Sequence, residues 1–522
     1  MQLATIDIVI IAVYAVAIVS LATWVSRDSQ GHKKDTNDYF LAGKALPWWA
    51  IGASLIAANI SAEQIIGMSG SGYVIGLAIA SYEWMSAITI IIVGKYFLPI
   101  FLRNNICTMP QYLQQRYDRR VCMLLAVFWL GVYVFVNLTS ILWLGALAIN
   151  SITGMDYIYG LLLLGLLAAA YSLYGGLKAI ALTDIIQVVL LIFGGLLISL
   201  LSLQALGQGA GVVAGFTELL DRAPEKFDLI LTPDNPHYIS LPGISVLVGG
   251  MWIMNLSYWG FNQYIIQRAL AARSLREAQK GIAFAAYLKL LMPVIVVLPG
   301  IAAFVLAPGL AVPDQAYPEM MKLVPAGLRG LVFAALIAAI LSSIGSMVNS
   351  ISTISTMDIY RHLRPDADER QLVIAGRCIG FAALALGMIC AKPLLGNFDQ
   401  AFQYIQEFTG FFTPGIVVIF LLGMFWKGMN SHGAMTAAVG SALLSFALKL
   451  LWPALPFIDR VGLVFLLCVM VAVGCSLSFR TAPQQQGDVV DYRAADFATS
   501  PGFNAATGGV ILILAALYAT WW

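Results

Sequence analysis

Apolar residues in this chain come in long runs separated by short polar stretches, a pattern unlike the alternation of a half-buried strand or the narrow stripe of a surface helix. Taking runs of about 17 to 30 apolar-dominated residues as membrane spans, about fourteen are predicted. They fall at roughly 4–25, 45–68, 74–102, 119–150, 156–173, 179–206, 240–268, 279–307, 327–357, 371–392, 396–426, 432–452, 460–480 and 504–522. The second run is interrupted. Its segment IAANISAEQIIGMS, residues 56–69, carries Asn59, Ser61, Glu63 and Gln64 at the depth of the bilayer. Unpaired polar groups in hydrocarbon cost several kcal/mol, so they face a wet cavity, a ligand or another polar helix. Transporters build sites where helices break and free their carbonyls. A break is predicted at Ala57 to Ile60; the alternative is a polar helix end packed on its neighbours.

Loop charge orients the spans, because Lys and Arg are retained on the cytoplasmic side. Loops after odd-numbered spans hold nineteen basic residues, among them Arg27, Lys33, Lys34, Arg116, Lys178, Arg268, Arg480 and Arg493, against six after even-numbered spans. Both termini are therefore expected outside the cytoplasm. Spans 2 to 6 and 7 to 11 form two sets of five with opposite starting sides, as an inverted repeat requires. Each set opens with a span holding embedded amides, Asn59 and Gln64 in one and Asn255 in the other. The expected organisation is an extra N-terminal helix and loop at 1–44, repeat one at 45–206, an external loop at 207–239, repeat two at 240–426, and three extra helices at 427–522.

Composition agrees, with 60% hydrophobic and 11% charged residues where a soluble globule has about a quarter charged. A net charge of +2 without a clustered basic face leaves no footprint for nucleic acid. Six cysteines without a C-x-x-C pair indicate neither a disulfide framework nor a zinc site. The Gln484–Gln486 tract carries no assigned role.

Several side chains inside the spans could carry chemistry. Glu83 and Ser86 share a helical face, and Lys289 lies deep in span 8. A lone charge there is expensive, so Glu83 and Lys289 either pair or line one hydrated cavity. Asn255, Tyr258 and Trp259 combine an amide with aromatic faces, which suits a polyol with a C–H face and equally suits packing. In span 9, Ala339, Ser342, Ser343, Ser346, Ser350 and Thr353 lie along one face; such stripes serve close packing, and two adjacent serines also offer oxygens to a hard cation. Span 11 adds Phe402, Gln403, Gln406 and Glu407, and span 6 adds Asp184 near its cytoplasmic end, where water could reach it. No nucleophile elbow, phosphate loop or metal-binding His pair marks an enzyme.

The runs LPWWAIGASLIAANISAEQIIGMSGSGY, GLAIASYEWMSAITIIIVGKYFLPIF, YWGFNQYIIQR, EAQKGIAFAAYLKL, VFAALIAAILSSI and QAFQYIQEFTG resemble the sodium/solute symporter family, and within it the bacterial sodium/galactose and sodium/glucose cotransporters. The resemblance implies an all-α integral membrane protein with a five-plus-five inverted-repeat core and a broken first helix in each repeat. It implies sodium-coupled symport of a hexose across the cell inner membrane, with sodium as coupling ion and no other cofactor. Sugar hydroxyls would meet Gln64, Glu83, Ser86, Asn255, Lys289 and Gln406. Tyr258 would stack beneath the sugar, held by Asn59, with Met68, Tyr82 and Phe402 closing the outer side. Sodium would sit among the carbonyls of Ala57, Ile60 and Ala339 and the hydroxyls of Ser342 and Ser343, with Asp184 at its exit. The alternatives are another solute (an inositol, sialic acid or amino acid) or a sugar-gated channel or sensor. Oligomeric state is left open.

Overall fold

The computed structural model describes residues 3–25, 42–396, 401–479 and 494–522, apart from the side chains of 19, 22, 23, 25, 42, 171–182, 401, 404, 494 and 495. Among these residues the fold is helical throughout, without a strand. The helices that matter here are α1 (Thr5–Val25), α2 (Trp48–Asn59), α3 (Glu63–Val74), α4 (Leu77–Arg103), α5 (Arg119–Thr153), α6 (Tyr157–Ala170), α7 (Thr183–Leu206), α8 (Gly250–Leu256) and α9 (Gln263–Leu270). There follow α10 (Leu275–Leu306), α11 (Leu328–Leu363), α12 (Glu369–Leu395), α13 (Ala401–Gly410), α14 (Thr413–Phe425), α15 (Ser431–Leu451), α16 (Phe457–Ser478) and α17 (Pro501–Thr520). Nine helices of the described residues are long and apolar enough to cross a membrane, and the pair α2 and α3 forms a tenth span bent by 63°. α6 and α7 are the two ends of one continuous helix, Tyr157–Leu206, where two spans were expected; the run expected at 240–268 is broken into short helices, and the run expected at 396–426 is two, α13 and α14, meeting at a turn at Phe411 and Phe412.

Local chemistry places the breaks. The interruption expected at Ala57 to Ile60 lies slightly later: α2 continues through Asn59 and the chain turns at Ile60 (φ −75°, ψ 88°). Ser61 explains the shift, since its hydroxyl accepts the Glu63 amide (3.1 Å) and donates to Gln64 Oε1 (2.9 Å), which starts α3 in the way a serine cap starts a helix. The second repeat opens with a matching interruption: α8 widens into a π-helical turn, Ser257–Phe261, and stops at the extended Asn262 (φ −88°, ψ 118°). The Gln263 amide that follows donates to Tyr133 Oη at 2.9 Å.

Close packing holds the broken helices. α10 lies against α2, α3 and α4, and α11 against α2, α5 and α7. The approach is backbone to backbone: a Cβ on Gly300 would come within 2.2 Å of the Ser69 carbonyl oxygen, and one on Gly281 within 2.8 Å of that of Trp48. At the periphery, α1 is tied to the start of α11 by the buried Asp7, whose Oδ1 accepts the amides of Gly327 and Gly330 (2.7 and 2.8 Å). Leu166, Leu443 and Leu512 point outward, as a lipid-facing surface requires.

Several basic residues expected in loops are buried instead, Arg116 and Arg268 most deeply. Arg116 donates to the carbonyls of Gly423, Trp426 and Met429, and so satisfies the carbonyl end of α14, where a cation is favoured. Arg268 closes α9 in the interior. The positions of Arg27, Lys33, Lys34, Arg480, Arg493 and the Gln484–Gln486 tract, and the side chain of Lys178, lie outside the described residues.

Candidate functional site

The interruptions of α2/α3 and α8/α9 face a cavity closed on its other sides by α4, α5, α10, α13 and α14. Every residue expected to meet the solute lines it: Gln64 on α3, Glu83 and Ser86 on α4, Asn255 and Tyr258 beside the second break, Lys289 on α10 and Gln406 on α13. So do the expected gate residues Asn59, Met68, Tyr82 and Phe402. The rings of Tyr82 and Phe402 meet edge to face, 5.3 Å between centroids, and Met68 is buried.

A chain of polar contacts runs through the cavity from its charged pair, with smaller sets beside it. The Lys289 ammonium donates to Glu83 and to Asn59 Oδ1 and lies 5.0 Å from the centre of the Trp259 ring. Both charges are nearly devoid of surface, so Glu83 and Lys289 pair and line the cavity at once. Breaking such a pair leaves an uncompensated buried charge, at a cost of about 3–5 kcal/mol. Asn59 passes the chain on, its Nδ2 donating to Tyr258 Oη at 3.0 Å, and Tyr258 Oη also accepts from the Tyr264 hydroxyl. Ser86 Oγ reaches Asn255 Oδ1 at 2.6 Å. Gln64 Oε1 is held by Ser61, while Gln403, on the same helix as Gln406, has buried amide atoms without a partner among the described residues.

The expected cation ligands separate into two groups. Ser343 Oγ lies 3.4, 3.2 and 3.5 Å from the carbonyl oxygens of Ala57, Ala58 and Ile60. One hydroxyl proton cannot serve three acceptors, so lone pairs converge on that point in excess. Hard cations take such oxygens. Ala339, on the preceding turn of α11, is buried. Ser342, by contrast, gives its hydroxyl to Asp184. Asp184 is fully buried rather than hydrated: it also accepts from Ser54 and faces Arg268 at 3.9 Å. Arg268 in turn donates to the Ser54 carbonyl (3.0 Å), to Tyr264 and to Ser346, joining α2, α7, α9 and α11.

Residue patterns alone left four site residues unassigned. Ala58, an apolar side chain, contributes only its carbonyl. Arg268 passed for a loop charge because it lies at the end of an apolar run. Tyr264 has no sequence signal beyond its aromatic ring. Glu63 had one, the single carboxylate of the polar segment 56–69; it lines the cavity and accepts from Ser140 on α5.

The profile of the sodium:solute symporter family matches residues 39–440. The chain belongs to that family. Its relatives include a sodium/glucose cotransporter of Vibrio parahaemolyticus, 49% identical over all of this chain and 99% of that protein. The sodium/myo-inositol cotransporter 2 of Homo sapiens is 34% identical, over 84% of this chain and 69% of that one. Among solved structures, a Na+-coupled sialic acid symporter in a substrate-bound outward-open state superimposes with a TM-score of 0.79 at 22% identity, covering 91% and 98% of the two chains. At that identity the likeness speaks for the fold alone. A member of this family is a transporter rather than an enzyme, and among the described residues no group of three His, Cys, Asp or Glu side chains could hold a metal ion.

Proposed function

We propose that the protein is a sodium-coupled symporter that carries a hexose, galactose or glucose, into the cell by alternating access. One observation carries this reading furthest: the carbonyls that converge on Ser343 and the side chain that holds the cavity's charged pair belong to the same turn. Asn59 lies between Ala58 and Ile60, and its amide touches both Lys289 and Tyr258. Sodium among the carbonyls of Ala57, Ala58 and Ile60 and the Ser343 hydroxyl would join the end of α2 to α11 and fix the direction of Asn59. The sugar-facing groups would then be set by the cation, which is the differential contact that coupling requires.

In this reading Gln64, Glu83, Ser86, Asn255, Lys289 and Gln406 exchange hydrogen bonds with sugar hydroxyls, and Tyr258 offers a ring to the sugar's C–H face. Tyr82 and Phe402, with Met68, close the outside; Tyr258 with Asn59 and Tyr264 closes the inside. Ser342 and Asp184 serve the cation on its way inward. Support comes from the full-length 49% identity to a sodium/glucose cotransporter. We further propose the two repeats at 45–206 and 240–426 as the moving bodies, the bacterial inner membrane as the location, and both termini outside the cytoplasm.

The test is uptake of labelled galactose and glucose by proteoliposomes with and without an inward sodium gradient. Accumulation of either hexose should require the gradient. Equal uptake without sodium would refute coupling. A cyclic polyol such as myo-inositol presents the same hydroxyls, and the 34% relatives motivate it as the competitor; myo-inositol taken up in preference to both hexoses would replace the hexose reading.

A further inference from the structure

We infer that Glu63 makes the cavity selective for uncharged sugars by rejecting those that carry a carboxylate; the inference rests on the sodium-coupled hexose reading above. Glu63 opens the π-helical turn that follows the break in α2/α3 and is buried. One carboxylate oxygen accepts from Ser140 on α5. Among the described residues no cationic side chain pairs with it: Lys289, the ammonium lining the same cavity, is engaged by Glu83 and Asn59.

The cavity therefore holds two carboxylates, Glu63 and Glu83, against one ammonium. The other buried pair, Asp184 with Arg268, balances itself. A neutral sugar meets Glu63 as a hydrogen-bond acceptor for its hydroxyls, a role that suits a carboxylate. In buffer alkaline enough to ionise Glu63, a sugar acid of the same ring shape brings a second anion into a water-poor space where the repulsion between the two is weakly screened. Neutral amides at Gln64, Asn255 and Gln406 could hydrogen-bond either solute, so they do not discriminate between them. Rejection of the unwanted solute by a like charge is a common route to specificity. A bound sodium ion is present with both solutes and drops out of their ratio.

The experiment compares galactose with galacturonate, which replaces the terminal hydroxymethyl group by a carboxylate, and with the neutral galacturonamide. Each is used to inhibit sodium-driven uptake of labelled galactose into proteoliposomes in mildly alkaline buffer. For the parent, galacturonate should inhibit far more weakly than galacturonamide. In Glu63→Gln that gap should narrow by about tenfold or more, and Glu63→Asp, which restores the charge, should reopen it. Glu63→Ser carries the same expectation as Glu63→Gln should the latter not reach the membrane. An unchanged gap in a variant that still transports galactose would overturn the inference, as would a change confined to the sodium dependence. A parent that takes up no hexose would instead bring down the functional reading, and this inference with it.

Discussion

Ser343 presents a single hydroxyl to three carbonyls where α2 ends, those of Ala57, Ala58 and Ile60, and that surplus of acceptors gives a direct prediction at the residue scale. Ser343→Ala should raise the sodium concentration for half-maximal uptake by about tenfold, since a hydrogen bond or ligand contact involving charge contributes about 1.5–3 kcal/mol. High sodium should restore much of the rate; a sodium dependence equal to the parent's would remove Ser343 from the ion site. Tyr258 offers a second test. Its hydroxyl accepts from both Asn59 and Tyr264, so Tyr258→Phe keeps the ring and leaves two buried donors without an acceptor. Phe should alter hexose release, read as efflux from preloaded vesicles, more than affinity, whereas Ala should abolish transport. Asn59→Ala should be more severe than Phe, because Asn59 also accepts from Lys289. Full transport in Tyr258→Ala would move the solute away from α8. Apart from the one between Tyr258 and Tyr264, these contacts join residues 199 to 286 positions apart, and only the types of side chain, not their pairings, were readable from the chain.

At the scale of the element, hydropathy identified the long helices because bilayer thickness dictates a run of about 20 apolar residues. It placed the break in α2 slightly early, because the boundary is set by a Ser61 side-chain bond rather than by hydrophobicity. It joined α13 and α14 into one span, since a turn made of Phe411 and Phe412 carries no polar signal. Glycines on α10 were also silent, although the structure presses Gly300 onto the Ser69 carbonyl. Gly300→Val should therefore separate α10 from α3 and lower stability in detergent by about 1–3 kcal/mol, the usual cost of overpacking. Gly508→Val, on α17 where a Cβ would meet nothing within 4 Å, is the control and should melt close to the parent. Equal melting temperatures for the two variants would show that the approach of α10 is not tight.

For the whole molecule, the turn proposed to hold the cation and the cavity proposed for the solute share α2, so their ligands should stabilise the fold together. A ligand at one hundred times its dissociation constant adds about 2.7 kcal/mol to stability. Galactose with sodium should raise the melting temperature of the solubilised protein by more than the sum of each alone. Lys289→Ala should lose the galactose increment and keep the sodium increment. Strictly additive increments in the parent would argue that the two sites are uncoupled.

By itself the sequence determined the membrane class, the helical architecture and the identity of most polar groups in the cavity, because each follows from local composition: hydrocarbon tolerates only internally bonded backbone, and polar side chains at that depth stand out. Tertiary structure alone decided the partners. It turned Arg268 from a loop charge into the buried neighbour of Asp184, directed Ser342 toward that carboxylate and Ser343 toward the end of α2, and left Glu63 facing the cavity with no cationic partner among the described residues. Pairing depends on which faces of distant helices meet, and that is set by backbone approach at small residues rather than by any periodicity along the chain.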